Sequence, residues 1–149
     1  MSQITNTIHI RGNANEIFDF VTTAKYWTQW HPATVGVSGQ IENPMRLGDV
    51  IRERAKIGEA IGENDWTVAE WERNTRVVLS MPQTRLGDLQ ISYTFVETEG
   101  GVHFSRELIF DTSAFPQEIA NAITAQMQND SRIATERIKE LYEGRGERE

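Results

Sequence analysis

The sequence predicts an α+β fold in which a curved antiparallel sheet of seven strands wraps around one long C-terminal helix. From residue 116 to about residue 142, apolar residues recur at steps of three, four or seven, which is one stripe of an α-helix. The stripe consists of Ile119, Ile123, Met127, Ala134, Ile138 and Leu141. At roughly 1.5 Å per residue this helix is about 40 Å long, so only a broad, curved sheet can cover it. Such a sheet leaves a hollow beneath the helix.

Seven segments with strand character precede that helix, separated by turn residues. They are residues 4–11, a short strand at Val35 and Val37, and residues 49–57, 65–72, 75–81, 88–96 and 102–110. Two short helical segments, 14–23 and 24–30, follow the first strand, and Pro32 prevents the second from continuing. Gly144 and Gly146 predict the end of the long helix, with 144–149 as a frayed tail. Residues 1–149 therefore read as one domain.

Composition excludes several classes of function. The 15 basic and 22 acidic side chains give a formal charge of -7, which opposes binding to nucleic acid. Cysteine is absent, which excludes disulfides and thiolate chemistry and is compatible with a reducing cytoplasm. No apolar run is long enough to span a membrane, and the N-terminus lacks the pattern of a signal peptide. We expect no cofactor and no integral membrane association, and the oligomeric state stays open, a homodimer included.

One carboxylate stands out on the face that should line the hollow. In residues 50–57 the side chains of Arg52, Arg54 and Lys56 share one face, which leaves Glu53 among apolar residues on the other. Pairing the strands by their apolar alternation places Glu53 opposite Glu70. Two desolvated carboxylates would raise the pKa of at least one of them, so either is a candidate catalytic acid or base. The alternative is a structural role in which Arg106 or water neutralises both.

Further residues on the same face are candidates for binding a ligand. Arg106 can bind an anionic group through its planar guanidinium, or it can reach the rim of the sheet and solvent. A flat ring can pack on the aromatic residues, any of which can also be core. The aromatic candidates are Trp27, Trp30, Trp66, Tyr93, Phe95 and Phe104, whereas Trp71 is expected on the outer face.

Two polar residues can lie in the hollow or on the surface, and for His31 we expect the surface. His31 can shuttle a proton because its ordinary pKa lies near neutrality, or it can be a surface residue at a helix end. Asp130 interrupts the apolar stripe of the long helix, either because it faces the hollow or because the stripe drifts toward solvent there. His9, His31 and His103 have no metal-ligand spacing, so we expect no metal site.

The order of elements and several local motifs resemble one known superfamily. The segment IHIRGNANEIFDFVTTAKYWTQWHP is similar to its opening, a strand followed by an A-x-x-I/V-F/W-x-x-V/L helix and a Y/F-W-x-x-W-x-P turn. GDVIRER, TVAEWERNTRVVLS and LQISYTFVETEGGVHFSREL resemble its successive strands. The chain therefore resembles, over nearly its whole length, the helix-grip (SRPBCC, START-like or Bet v 1-like) superfamily, and within it the bacterial polyketide cyclase/dehydrase-like proteins.

The resemblance implies a cavity between sheet and helix that holds a small hydrophobic or aromatic molecule. It does not select among three functions, because its motifs are mostly packing residues. The first is a cytoplasmic binding or carrier protein. The second is a cyclase, dehydratase or isomerase in which Glu53 or Glu70 moves a proton while Tyr93 or Arg106 stabilises an oxyanion. The third is an interaction module like the Hsp90-activator branch, which works through a surface.

Overall fold

The structure, a computed structural model, describes residues 1–147 and, for side chains, residues 1–144. Its helices are α1 (Ala14–Thr22), α2 (Trp27–Trp30) and α3 (Gln117–Glu147), with a 3₁₀ turn at Ala24–Tyr26. Its strands are β1 (Ser2–Arg11), β2 (Thr34–Gly39), β3 (Val50–Ile57), β4 (Ala60–Glu72), β5 (Arg76–Thr84), β6 (Gly87–Thr98) and β7 (Gly101–Phe110). The predicted order of elements is confirmed.

The seven strands form one antiparallel sheet in the order β1-β7-β6-β5-β4-β3-β2. The meander from β2 to β7 follows the chain, and β1 pairs with β7 along its whole length, from Ser2↔Phe110 to Arg11↔Gly101. The sheet curls around α3, which packs most closely against β1. The core lies between them, and its inward side chains come from alternate positions of each strand. The predicted α+β architecture is therefore confirmed.

The buried stripe of α3 differs from the predicted one at one apolar position and at two hydroxyl residues. Ile123, Ala134 and Ile138 are buried as expected, but Ile119 is 49% exposed and Ala120 is buried beside Ile123. Ser131 and Thr135 are also buried on this face. The polar hydroxyls hide the true stripe from a search for apolar residues. The helix also continues through Gly144 and Gly146 to Glu147, where a stop was predicted, and residues 148–149 of the predicted tail lie outside the described part.

The predicted pairing of Glu53 with Glu70 is wrong. Glu53 lies opposite Asn64, because β3 and β4 are joined by a tight turn at residues 58–59 instead of a long loop. A bulge between Val68 and Glu70 then turns Glu70 to the outer face, where its Oε1 lies 3.8 Å from Arg76 Nε. The side chain of Glu70 is 60% exposed. The two carboxylates are therefore not neighbours.

The same bulge moves Trp71 from the predicted outer face to the inner one. Trp71 pairs with Val77, and its ring lies edge-on to Phe18 with 6.2 Å between ring centroids. The guanidinium of Arg46 stacks over the indole at 5.0 Å from the ring centroid. One extra residue in a strand moves every following side chain to the opposite face of the sheet, so Trp71 lies at the edge of the core.

Candidate ligand-binding cavity

A small cavity lies between the sheet and the middle of α3. A sphere the size of a water molecule can move its centre through about 80 Å³ of it. Its wall is mostly apolar, with a minority of polar side chains. It consists of Trp27, Trp30, His31, Ala33, Thr34, Glu53, Ala55, Ile57, Asn64, Trp66, Leu86, Leu89, Ile91, Tyr93, Arg106, Leu108, Gln126, Met127, Asp130 and Ser131.

The volume sets a limit on the occupant. One water molecule needs about 10–15 Å³ on this measure, so the cavity has room for several waters or for a compact organic molecule. A long lipid chain would require the wall to move. Large apolar area with a few polar groups is the usual composition of a small-molecule site.

A turn at the end of α2 places His31 and Thr34 side by side. The backbone N–H of His31 donates to the carbonyl of Trp27 at 2.8 Å and ends the helix, and the N–H of Thr34 donates to the carbonyl of His31 at 3.1 Å. Pro32 occupies the second position of this turn, where its fixed φ is favourable. The turn brings Nδ1 of His31 to 2.8 Å from the Thr34 hydroxyl.

The carboxylate of Glu53 is held by protein donors on both oxygens. Its Oε2 accepts a short hydrogen bond from the Thr34 hydroxyl, and its Oε1 accepts one from Trp66 Nε1 at 3.0 Å. Nδ1 of His31 lies 3.8 Å from the same Oε2. Glu53 is only 6% exposed, so these bonds replace the water that burial removes. Glu53, which the sequence predicts as a candidate acid or base, is therefore linked by hydrogen bonds through the Thr34 hydroxyl to His31.

His31 is neutral at physiological pH. Burial, and next the positive charge of Arg106, lower the pKa of His31 from 6.5 to about 3. Its side chain is 17% exposed, and Trp30 packs edge-on to the ring. The expectation of a surface histidine is therefore wrong: His31 is part of the cavity wall.

Arg106 supplies a buried positive charge to the opposite wall. It lies on β7 opposite Tyr93 of β6 and is 3% exposed, so it does not reach the rim. Its Nη1 donates to the Ser131 hydroxyl of α3 at 2.9 Å. No carboxylate of the described side chains is within salt-bridge distance of it, and its Nε has no hydrogen-bond partner among them. An unpaired charge in such a site is costly to the fold.

Two indole N–H groups of the cavity wall are buried donors as well. Within the part of the chain whose side chains are described, the indole N–H groups of Trp27 and Trp30 have no acceptor. Burial raises the pKa of Tyr93 to about 12, although the charge and a hydrogen bond of Arg106 oppose that shift. The Tyr93 hydroxyl is therefore protonated at physiological pH. Arg106, Trp27 and Trp30 thus each present a buried donor to the cavity without a partner among the described side chains.

The structure brings six of the eight predicted ligand-binding residues to one cavity: Trp27, Trp30, Trp66, Tyr93, Arg106 and Asp130. Phe95 and Phe104 are core instead. Their ring centroids lie 5.2 Å apart, and Phe95 also packs on Phe18 at 5.0 Å. Both point inward as predicted, but they lie beyond the cavity, between the sheet and α1.

Sequence reasoning missed four polar residues of the wall. Thr34, Asn64 and Ser131 had no distinguishing motif, although Ser131 stands at a stripe position of α3, four residues after Met127. Gln126 was missed as well, and it ties the β3–β4 turn to α3. Its Oε1 accepts from the Gly58 N–H at 2.8 Å and its Nε2 donates to the Lys56 carbonyl at 3.0 Å and to Asp130 Oδ2 at 3.2 Å.

A curled antiparallel sheet around one long helix, with a cavity between them, defines the helix-grip class of proteins. The model of the family described as "Polyketide cyclase / dehydrase and lipid transport" matches residues 1–143. The chain belongs to this family, which confirms the resemblance seen in its sequence. No curated protein sequence matches significantly.

Solved structures share the fold at low sequence identity. A protein from Thermus thermophilus is 11% identical, with a TM-score of 0.76 and 93% of this chain and 95% of that one covered. The "Aha1 dimer from Colwellia psychrerythraea" is 17% identical, with a TM-score of 0.68 and 94% and 95% covered. The "di-domain ARO/CYC StfQ from the steffimycin biosynthetic pathway" is 9% identical, with a TM-score of 0.71 and 97% of this chain covered. The chain spans 51% of StfQ and 48% of a further similar structure, DynU16 from the dynemicin biosynthetic locus.

Among the residues that the structure describes, no helix is both long and apolar enough to cross a membrane. In that same part of the chain, no three His, Asp or Glu side chains converge where they could hold a metal ion.

Proposed function

We propose that this protein binds or carries a small aromatic molecule with an anionic oxygen, held between the sheet and α3. The buried, unpaired guanidinium of Arg106 carries the proposal. A carboxylate or enolate beside it would compensate a charge whose hydrogen-bond partners, among the described side chains, are the Ser131 hydroxyl and Tyr93. The apolar residues around it would cover one or two aromatic rings.

The mouth of the cavity belongs to the same proposal. Ile57, Asn64 and Gln126 line the side where the β3–β4 turn meets α3. Gln126 forms surface hydrogen bonds with Lys56 and Gly58, and a ligand can enter when these bonds break.

As further parts of this proposal, we place the protein in the cytoplasm, because it has no cysteine, and we leave a homodimer open.

Tryptophan fluorescence tests this function, because Trp27, Trp30 and Trp66 all line the cavity. We expect 2-naphthoate to change the emission in a saturable way. Arg106→Met should weaken binding about ten- to a hundredfold, since hydrogen bonds to a charged group contribute about 1.5–3 kcal/mol. Arg76→Met is the matched control, because Arg76 is on the outer face and 40% exposed. A ligand-binding interior would be refuted if neither 2-naphthoate nor larger aromatic acids change the emission in a saturable way.

A second candidate is a cyclase- or dehydratase-like enzyme on the same scaffold. The chain from Glu53 through Thr34 to His31, which lines a cavity with Arg106, favours it. Glu70 does not enter this candidate because it is on the outer face. Glu53 would act through His31, since both of its oxygens are already bonded. Incubation with a linear poly-β-ketone, followed by the absorbance of a new aromatic ring, would separate turnover from simple binding.

A third candidate, an interaction module, has only the fold likeness to the Aha1 dimer behind it. At 17% identity that likeness concerns the fold alone. A cavity with a buried charge is unnecessary for a protein that works through its surface. We therefore favour ligand binding.

A further inference from the structure

The hydroxyl of Thr34 fixes which nitrogen of His31 carries the proton. Thr34 has a single hydroxyl proton, and it donates that proton to Oε2 of Glu53. The same oxygen lies 2.8 Å from Nδ1 of His31. Thr34 can therefore only accept from His31, so Nδ1 must carry a hydrogen.

A neutral imidazole has one N–H, so the other nitrogen of His31 is bare. Burial beside Arg106 keeps this ring neutral. Nε2 of His31 then has a free lone pair, and no hydrogen bond to it is formed within the part of the chain whose side chains are described. His31 lines the cavity, as do Arg106 and the two indoles with unpartnered donors.

We infer that His31 Nε2 is the hydrogen-bond acceptor of the cavity, and that the ligand is a hydroxylated aromatic acid or its enolate equivalent. Its hydroxyl donates to Nε2, while its anionic oxygen is bound by Arg106. This inference rests on the proposed function and names the ligand class for the same site. Glu53 and Thr34 are positioning residues, because they act on the ligand only through the ring of His31.

The tautomer can be measured without any ligand. Long-range ¹H–¹⁵N correlation spectra of the purified protein distinguish a protonated ring nitrogen from a bare one. We expect Nδ1 of His31 to be protonated and Nε2 to be bare at neutral pH. Thr34→Val, which is nearly the same shape, should disturb this state, whereas Thr5→Val on the outer face should not. A protonated Nε2 in the unchanged protein would overturn the inference.

Three matched ligands test the acceptor. We expect 6-hydroxy-2-naphthoate to bind about tenfold more tightly than 6-methoxy-2-naphthoate and 2-naphthoate, because only the first can donate to Nε2. His31→Asn keeps an amide N–H near Thr34 but removes the acceptor, so the preference for the hydroxyl should disappear. His31→Gln presents an amide oxygen near the position of Nε2 and should restore part of it.

The outcomes separate this inference from the proposed function. If the three naphthoates bind with equal affinity, or if His31→Asn keeps the hydroxyl preference, the inference fails while the ligand-binding function stands. If none of the three binds at millimolar concentration, the proposed function fails and the inference fails with it.

Discussion

Two clusters of charged side chains join the sheet to α3, and they differ in whether each charge has a partner. Near the end of α3, Glu143 Oε1 lies 3.1 Å from Arg11 Nη2, and Glu143 Oε2 lies 2.6 Å from Lys139 Nζ. Lys139 also donates to the carbonyl of His9 at 2.6 Å. In the cavity, Arg106 donates to a hydroxyl of α3, and no carboxylate among the side chains of residues 1–144 is within salt-bridge distance of it.

The pKa shifts express the same difference. Burial alone would raise the pKa of Glu143, but hydrogen bonds from Lys139 and Arg11 outweigh it and lower that pKa to about 2. Burial of His31 and then the positive charge of Arg106, in contrast, lower the pKa of His31 to about 3, although Glu53 Oε2 lies 3.8 Å from its Nδ1. The outer cluster therefore stabilises its charges and the fold. In the cavity, the guanidinium of Arg106 has no carboxylate of the described side chains within salt-bridge distance, although Glu53 and Asp130 line the same space.

The largest effect that we expect is acid sensitivity caused by His31. In the unfolded chain His31 becomes protonated near pH 6.5, whereas in the folded chain it stays neutral down to about pH 3. Stability from this residue is therefore complete above pH 6.5 and falls as the pH decreases, by roughly 2–3 kcal/mol at about pH 4.5. Urea unfolding at several pH values should show that His31→Gln flattens this slope and that the exposed His9→Gln does not. Equal slopes in all three proteins would contradict a buried, neutral His31.

The next effect belongs to the outer cluster. Replacing Glu143 by Gln should lower the free energy of unfolding at neutral pH by about 1–2 kcal/mol, because both Arg11 and Lys139 lose their partner. The loss should shrink as the pH falls from 4.5 toward 2, where Glu143 itself becomes protonated. Glu136→Gln, which breaks only the exposed pair with Arg132, is the control and should cost less than about 0.5 kcal/mol.

Arg106 should behave in the opposite way to Glu143. Arg106→Met removes a buried charge without leaving a buried carboxylate unpaired. The free energy of unfolding of the ligand-free protein should therefore stay the same or increase by about 1 kcal/mol. Thermal unfolding with and without 2-naphthoate would show this together with loss of the ligand-induced increase in Tm. A large destabilisation of the ligand-free protein would mean that Arg106 holds the fold together.

The smallest expected effect concerns the mouth. Gln126→Leu removes the hydrogen bonds to Lys56 and Gly58, so 2-naphthoate should associate and dissociate several times faster with little change in Kd. Stopped-flow fluorescence measures both rates. Gln128→Leu, on the exposed face of the same helix, is the control. Unchanged rates would show that the ligand enters elsewhere.

Local patterns made much of the site predictable, and long-range details did not. The alternation of Arg52, Arg54 and Lys56 placed Glu53 inside, because side-chain direction in a strand depends only on neighbours. The residue opposite Glu53 depends on the length of the β3–β4 turn, and the face of Glu70 depends on the bulge after Val68. Neither the turn length nor the bulge has a clear sequence signal.

The contacts of His31 could not be predicted from the sequence for a similar reason. Pro32 predicted a turn, but only the fold shows that Thr34 then meets Glu53 of another strand. Ser131 was hidden because a hydroxyl on an apolar stripe looks like an interruption. Its meaning depends on Arg106, which is 25 residues earlier in the chain.

A crystal structure of the protein with 2-naphthoate tests the central claim most directly. We expect the carboxylate to lie within hydrogen-bond distance of the Arg106 guanidinium, with the rings between Trp66 and Met127. The guanidinium would then have an anionic partner that none of the described side chains supplies. A naphthoate bound only on the outer surface, or one inside whose carboxylate points away from Arg106 toward the β3–β4 turn, would contradict the account.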